Sequence, residues 1–154
     1  MDVLQLFEDH RDAVYRLALN MTGSAEDAED VSQTVFLKLL DRQPALEPGR
    51  ERAWLLQVTA NECRSLWRRL KRWGTVPLEE MLAVAAPSAE PVLRQVMLLR
   101  PKERSVLYLF YYEGVSTQEI ADMLRISRSA VTTRLQRARK NLKSILEEDG
   151  IYEG

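Results

Sequence analysis

Apolar residues recur at helical spacing in two consecutive runs between Ser116 and Leu142. Ser116 and Ser127 each stand just before one run, where a serine hydroxyl can cap the first turn of a helix. Glu119 completes a capping box with Ser116. The pattern predicts a helix-turn-helix, with a supporting helix followed by a longer recognition helix. Its apolar positions are Ile120, Ala121 and Leu124 in the first helix and Val131, Leu135, Ala138, Leu142 and Ile145 in the second.

The face opposite the apolar stripe of the recognition helix is basic and polar. Between Arg125 and Lys143 the sequence has seven basic side chains and no acidic one. Short side chains at the start of such a helix can reach base edges, and later arginines can hold phosphates. A helical hairpin with a solvated basic face is the alternative, but the capping serines, the small Ala121 and the one-signed charge favour DNA binding. The predicted DNA-contacting residues are Ser127, Arg128, Ser129, Thr132, Thr133, Arg137 and Arg139.

Two helices are predicted in the first part of the chain, over residues 2–21 and 25–41, separated by Thr22-Gly23-Ser24. The first has inward positions at Val3, Phe7, Val14, Leu17 and Met21. The second has an apolar stripe of Ala28, Val31, Val35 and Leu39. Its opposite face mixes acids with leucine, which indicates either an ordinary solvated surface or a docking surface for another protein. The residues predicted for docking are Glu26, Asp30, Gln33 and Leu37, with Phe36 on the flank.

A third helix is predicted from Glu51 to about Trp73, and its apolar phase slips partway along. The apolar residues before the slip and those after it point in directions about 100° apart on a helical wheel. We therefore expect a bend or break over residues 59–62 that presents Asn61 on irregular backbone. The basic and aromatic residues after it suit distorted or single-stranded nucleic acid, although either tryptophan could equally be core. The residues predicted to contact nucleic acid here are Asn61, Arg64, Trp67, Arg68, Arg69 and Arg72.

The organisation is that of an all-α protein with two small helical domains joined by a flexible linker. Residues 1–73 form the first domain and residues 74–90, rich in Ala and Pro, form the linker. Residues 91–147 form the second domain, which ends in the helix-turn-helix. Pro91 and Pro101 are predicted to open two helices ahead of it, and Gly114 to end the second of these.

Composition narrows the function. The 154 residues include one Cys and one His, too few for a zinc site or a disulfide framework. No nucleophile–base pair, phosphate loop or paired acids stand out, so we do not expect an enzyme or a cofactor. No apolar run could span a membrane and no signal peptide is evident, so a cytoplasmic protein is expected. The net charge of −1 implies weak DNA affinity for the chain alone, and hence action together with a partner.

Three segments together resemble the extracytoplasmic-function (ECF) sigma factors, the smallest class of the bacterial sigma-70 family. DAEDVSQTVFLKLLDR is similar to the helix that binds the clamp of core RNA polymerase. ERAWLLQVTANECRSLWRR resembles the segment that reads and melts the minus-ten promoter element. LRPKERSVLYLFYYEGVSTQEIADMLRISRSAVTTRLQRARKNL is similar to the domain that reads the minus-thirty-five element. One departure is Arg125, which stands where the family often has glycine in the turn.

The resemblance implies a factor that binds core RNA polymerase and directs promoter-specific initiation, with promoter DNA and an anti-sigma factor as further partners. It assigns the residues of the second helix to polymerase binding, those of the third to the minus-ten element and those of the recognition helix to the minus-thirty-five element. A stand-alone helix-turn-helix regulator is the alternative. That alternative leaves the acidic face and the arginine–tryptophan segment unexplained. An anti-sigma or adaptor protein conflicts with the basic recognition helix.

Overall fold

The computed structural model describes residues 2–73 and 95–148, including their side chains except those of residues 70–73. The chain divides into two compact units, Met1–Val76 and Pro77–Gly154. Helices account for the regular structure of the described residues, and no strand occurs among them, which confirms the all-α prediction. The predicted linker, residues 74–90, and the predicted helix start at Pro91 lie outside the described residues.

The N-terminal unit contains three helices, α1 (Val3–Thr22), α2 (Ala25–Arg42) and α3 (Glu51–Trp73). The first two begin at side-chain caps, because Asp2 accepts a hydrogen bond from the amide of Gln5 and Ser24 accepts one from the amide of Asp27. Gly23 ends α1 with a left-handed backbone, φ 71°. The segment Thr22-Gly23-Ser24 therefore ends α1 and starts α2, as predicted, and joins the two helices by a short connection.

The core of the N-terminal unit is formed by one stripe from each helix. The predicted stripe of α2 is buried as expected, whereas Phe7 of α1 keeps 38% of its surface exposed. An ion pair between Lys38 and Glu62 links α2 to α3 at the edge of this core. The buried apolar side chains are Ala13, Val14, Leu17, Ala18 and Met21 of α1, Ala28, Val31, Val35, Phe36 and Leu39 of α2, and Leu55, Leu56, Val58, Ala60 and Cys63 of α3.

Helix α3 is continuous, so the predicted break over residues 59–62 is wrong. The prediction assumed that only strongly apolar residues face the core. Thr59 instead occupies a core position, fully buried, with its hydroxyl donating to the carbonyl of Leu55 at 2.7 Å. The buried stripe thus passes through Leu55, Thr59 and Cys63 without changing phase. No described side chain of α3 after Cys63 is buried, so Leu66 and Trp67 need not meet the same core.

The C-terminal unit contains α4 (Pro101–Leu107), α5 (Thr117–Leu124) and α6 (Arg128–Glu148), and residues 95–97 are also helical. Helix α4 continues as a π-helical segment, Tyr108–Tyr112, and Gly114 follows two residues later with φ 69°. The sequence predicts one helix over this range and misses its π geometry. Leu99, Leu107 and Ala138 form a buried cluster, with Val96, Leu142 and Ile145 packed around it.

Arg104 is the largest fully buried side chain of the C-terminal unit, with 1% of its surface exposed. Its Nη1 donates to the carbonyls of Met97 and Leu99, at 3.2 Å each. Burial lowers the pKa of Arg104 to about 10, so the group remains charged at neutral pH. The guanidinium thereby fixes the segment that enters α4 onto the rest of the unit.

The predicted helix-turn-helix is present, and both serine caps are formed. Ser116 accepts a hydrogen bond from the amide of Glu119 at 3.2 Å, and Ser127 accepts one from the amide of Ala130 at 3.0 Å. Arg125 ends α5 in the left-handed region, with φ 55°. This is the conformation that the usual glycine of the turn would adopt without strain.

Candidate promoter and polymerase surfaces

The continuous α3 places several of the predicted minus-ten residues on one face. Gln57, Asn61, Arg64 and Arg68 succeed one another at intervals of four, three and four residues, which aligns them along the helix. Asn61 lies two residues from both Thr59 and Cys63, about 200° around the helix from the buried stripe. The four side chains therefore form a polar and basic ridge on the side away from the core, on regular helical backbone.

Hydrogen bonds join neighbours along this ridge. The Oδ1 atom of Asn61 accepts from Nε2 of Gln57 at 3.3 Å and also from Nη2 of Arg64. Arg68 donates to the hydroxyl of Ser65 at 3.5 Å. The first three side chains are half-buried and Arg68 is exposed, so the ridge is ordered at its start and open to solvent further along.

The other predicted minus-ten residues diverge from the ridge. Trp67 is half-buried on one flank of the ridge, and Arg69 is exposed on the other flank. Arg69 lines a groove of about 380 Å³ between α2 and α3, together with Asp27 and Asp30. The side chain of Arg72 lies outside the described residues. The structure therefore brings together Asn61, Arg64 and Arg68, and sets Trp67 and Arg69 apart from them.

The predicted docking face of α2 is exposed, with the exception of Phe36. Glu26, Asp30, Gln33 and Leu37 are exposed, and Leu37 has 63% of its surface accessible. Leu40 extends the apolar part of this face with 54% exposure.

Phe36 is only 9% exposed, and its ring meets that of Phe7 edge-on at 4.8 Å between centroids. We therefore correct its assignment to the docking face, because the ring packs between α1 and α2 and is not accessible to a partner. The helical wheel placed it on the flank, and the sequence does not show that Phe7 would cover that flank.

The exposed side of α6 carries the predicted minus-thirty-five residues. Ser127 caps the helix, and the others are all exposed: Arg128, Ser129, Thr132, Thr133, Arg137 and Arg139. The hydroxyl of Thr132 donates to the carbonyl of Arg128 at 3.2 Å, so it has an intrahelical partner before any ligand arrives.

Arg139 has a contact that the sequence does not reveal. Its Nε donates to the hydroxyl of Tyr111, and its guanidinium carbon lies 5.3 Å from the centre of the Tyr111 ring. Tyr111 belongs to the π-helical segment, whose altered turn no residue pattern predicted. Gln57 was also missed, although its position four residues before Asn61 was a usable signal.

The described residues contain no evident metal site, reactive cysteine or membrane-spanning helix. Over residues 2–73 and 95–148, no group of three or more His, Cys, Asp or Glu side chains is placed to hold a metal ion. Cys63 is buried, and burial raises the pKa of its thiol, which disfavours the reactive thiolate. No described helix is long and apolar enough to cross a membrane.

Comparisons with known proteins match both units. Residues 6–73 match the family described as Sigma-70 region 2, and residues 89–142 match the family described as Sigma-70, region 4. The ECF RNA polymerase sigma factor SigM of Mycobacterium tuberculosis is 30% identical, over 92% of this chain and 76% of its own length. The ECF RNA polymerase sigma factor SigE of Mycolicibacterium smegmatis is 29% identical over 92% of this chain, which spans 60% of SigE.

A solved structure shares the fold. RpoE of Bartonella quintana, determined in complex with the anti-sigma factor NepR, superposes with a TM-score of 0.73. Its sequence identity is 21%, and the match covers 95% of this chain and 97% of that one. This likeness concerns the path of the backbone.

Proposed function

Because the chain belongs to the ECF sigma factors of the sigma-70 family, we propose that it binds core RNA polymerase and directs transcription initiation at specific promoters. In this role it supplies recognition, and RNA synthesis is catalysed by the polymerase. It acts in the cytoplasm on chromosomal DNA. Residues 1–73 serve as the region 2 domain and residues 91–147 as the region 4 domain.

The exposed face of α2 is the proposed contact with the polymerase clamp. Glu26, Asp30 and Gln33 offer charge and hydrogen bonds, and Leu37 offers apolar surface at the C-terminal end of this set. Acids followed by an exposed leucine suit a basic, partly apolar partner, since charges guide association and an apolar group supplies buried area.

The ridge of α3 is the proposed contact with the minus-ten element. Arg64 and Arg68 lie at helical spacing and can track the phosphates of one strand, and Asn61 offers an amide to a base edge. Trp67 and Arg69 flank the ridge, where a ring can stack on an unpaired base and a guanidinium can meet the backbone. Arg72 is included on its place in the sequence.

The exposed side of α6 is the proposed contact with the minus-thirty-five element. Arg128, Ser129 and Thr132 lie in the first turns, with Thr133 beside them, where a recognition helix reaches base edges. Arg137 and Arg139 lie further along and hold phosphates. Ser127 fixes the start of the helix and can also meet the backbone.

The main observation in favour of a polymerase-binding role, in addition to DNA binding, is that the N-terminal unit has two distinct surfaces. It presents an acidic face with an exposed leucine on α2 and a basic ridge on α3. A stand-alone helix-turn-helix regulator leaves both surfaces unexplained. An anti-sigma factor is a further proposed partner, because it would keep these surfaces covered until they are needed.

The direct test is run-off transcription with purified core polymerase, with and without this protein. We expect a discrete transcript only when both are present, and we expect Asp30→Arg to reduce it by weakening assembly with the core enzyme. Asp12→Arg, a matched change at an exposed acid of α1, serves as the control. If the protein confers no initiation on any promoter of a fragmented genomic library, or binds DNA equally well without polymerase, the proposal is wrong.

A further inference from the structure

The amide of Asn61 has its oxygen engaged from two sides. Nε2 of Gln57, one turn earlier, donates to Oδ1 of Asn61 at 3.3 Å, and Nη2 of Arg64, one turn later, donates to the same oxygen. All three side chains are half-buried. The amide is therefore held within the ridge of α3 before any ligand is present.

The identity of the outward atom is set by the chemistry of arginine. A guanidinium group can donate hydrogen bonds but cannot accept them, so the Asn61 atom that Arg64 contacts must be the oxygen. The Nδ2 group is then the part left for a ligand, and no hydrogen bond joins it to another described residue. Asn61 thus presents a donor.

We propose that Gln57 and Arg64 are positioning residues that fix Asn61 as an outward hydrogen-bond donor, and that this polarity selects the captured minus-ten base. Every base carries acceptors, but at different points of its edge, so a donor fixed in place favours the bases whose acceptor lies opposite it. This inference rests on the proposed melting role of α3. A mismatched donor leaves polar groups unpaired, which disfavours the bases with no acceptor at that point by roughly tenfold.

An ordinary stabilising role for this hydrogen-bonded ladder predicts different measurements, because pairs four residues apart also stabilise isolated helices. A purely stabilising ladder lowers melting temperature when broken but leaves base preference unchanged. Gln118 and Asp122 of α5, in the other unit, form a comparable pair at 3.2 Å. Gln118→Leu is therefore the matched control for the loss of such a pair.

The experiment selects promoters from a library that is pre-melted and randomised over the minus-ten bases, using holoenzyme assembled with each variant. Asn61→Asp keeps an oxygen for Gln57 and Arg64 and turns the outward group into an acceptor. We expect it to change the preference at one position, toward the bases whose donor lies opposite the introduced carboxylate. Preferences are compared as ratios within each variant, so a general loss of affinity from the added charge cancels.

The positioning role is tested with Gln57→Leu and, in case that variant folds poorly, with Gln57→Glu, which keeps a polar surface but removes the donor. Both are expected to reduce the base discrimination at that position from about tenfold to less than threefold, and Gln118→Leu to leave it intact. An unchanged preference in Asn61→Asp, or in both Gln57 variants, overturns the inference.

If α3 does not contact the minus-ten element through Asn61, the measurements differ from those expected when only the polarity inference fails. If Asn61→Ala opens duplex promoters at the wild-type rate and selects the same bases, α3 does not capture a base through Asn61, and the proposed minus-ten role is wrong for this residue. If Asn61→Ala slows opening while Asn61→Asp retains the wild-type preference, the capture role stands and only the polarity inference falls.

Discussion

The hydroxyl of Tyr111 accepts a hydrogen bond from Nε of Arg139, a residue 28 positions later in the chain. The ring also lies against the guanidinium, with 5.3 Å from its centre to the central carbon. Because Nε is occupied, the two Nη groups are turned toward the far side of the guanidinium, the geometry in which arginine grips a phosphate. Tyr111 is 58% exposed, so this pair sits at the surface.

Loss of the Tyr111 hydroxyl is therefore expected to weaken the phosphate contact of Arg139. Tyr111→Phe should reduce affinity for minus-thirty-five duplex about threefold, the effect of one exposed hydrogen bond, without changing the salt dependence. Arg139→Ala should also lower the slope of log affinity against log salt by about one. Tyr112→Phe is the control in the same π-helical segment, and fluorescence anisotropy on labelled duplex gives both quantities. Wild-type affinity in Tyr111→Phe would contradict the positioning role.

Phe36 and Leu37 are neighbours in sequence with opposite expected effects. Phe36→Ala should destabilise the protein by about 3–4 kcal/mol, since it removes a buried ring that packs against Phe7 and leaves a cavity. Leu37→Ala should change stability by less than about 0.5 kcal/mol but weaken core polymerase binding. Urea unfolding and a polymerase pull-down with purified components separate the two. Normal assembly by a folded Leu37→Ala would exclude this leucine from the interface.

Arg125 is a non-glycine residue in left-handed backbone, with φ 55°. Replacing it with glycine should stabilise the C-terminal unit by about 1 kcal/mol, because glycine adopts this conformation without a steric penalty. Gly114→Ala, at φ 69° with open space around it, should instead destabilise the C-terminal unit. Thermal unfolding of both variants checks the pair. If Arg125→Gly is destabilised, the contacts of the arginine side chain stabilise the fold by more than its left-handed backbone destabilises it.

Arg104→Met should destabilise the C-terminal unit by about 2–4 kcal/mol, since it strips the carbonyls of Met97 and Leu99 of their buried partner. Arg100→Met, at an exposed position one turn earlier, is the matched control. Amide hydrogen exchange should show lost protection first around residues 97–99. Equal stability of the two variants would indicate that these carbonyls find other partners.

Much of this fold obeys local sequence rules. Ser24, Ser116 and Ser127 stand at predicted helix starts and act as caps, because a short hydroxyl side chain satisfies the free amides of the first turn wherever the chain enters a helix. The buried stripes of α2 and α6 were predictable for a similar reason, since a regular apolar repeat leaves few ways to bury it.

The errors arise where a residue acts against its average behaviour. Thr59 is polar by type, yet its hydroxyl is satisfied by Leu55 within the helix, so it enters the core at little cost. Phe36 is predicted on the docking surface, because its partner Phe7 lies on another helix and no pattern within α2 reveals it. The hydrogen bonds of Asn61 to Gln57 and Arg64 were not predicted, because a break over residues 59–62 would have separated these side chains.

The π-helical segment makes the position of Tyr111 depend on the number of residues in the chain. A π turn accommodates an extra residue compared with an α turn, and each residue added or removed rotates the later side chains of the helix by about 100°. Deleting one residue between Tyr108 and Tyr112 would thus restore α geometry and carry the retained ring away from Arg139. Relatives of this protein would therefore gain or lose that contact through insertions and deletions in this segment, as well as through substitutions of Tyr111 or Arg139.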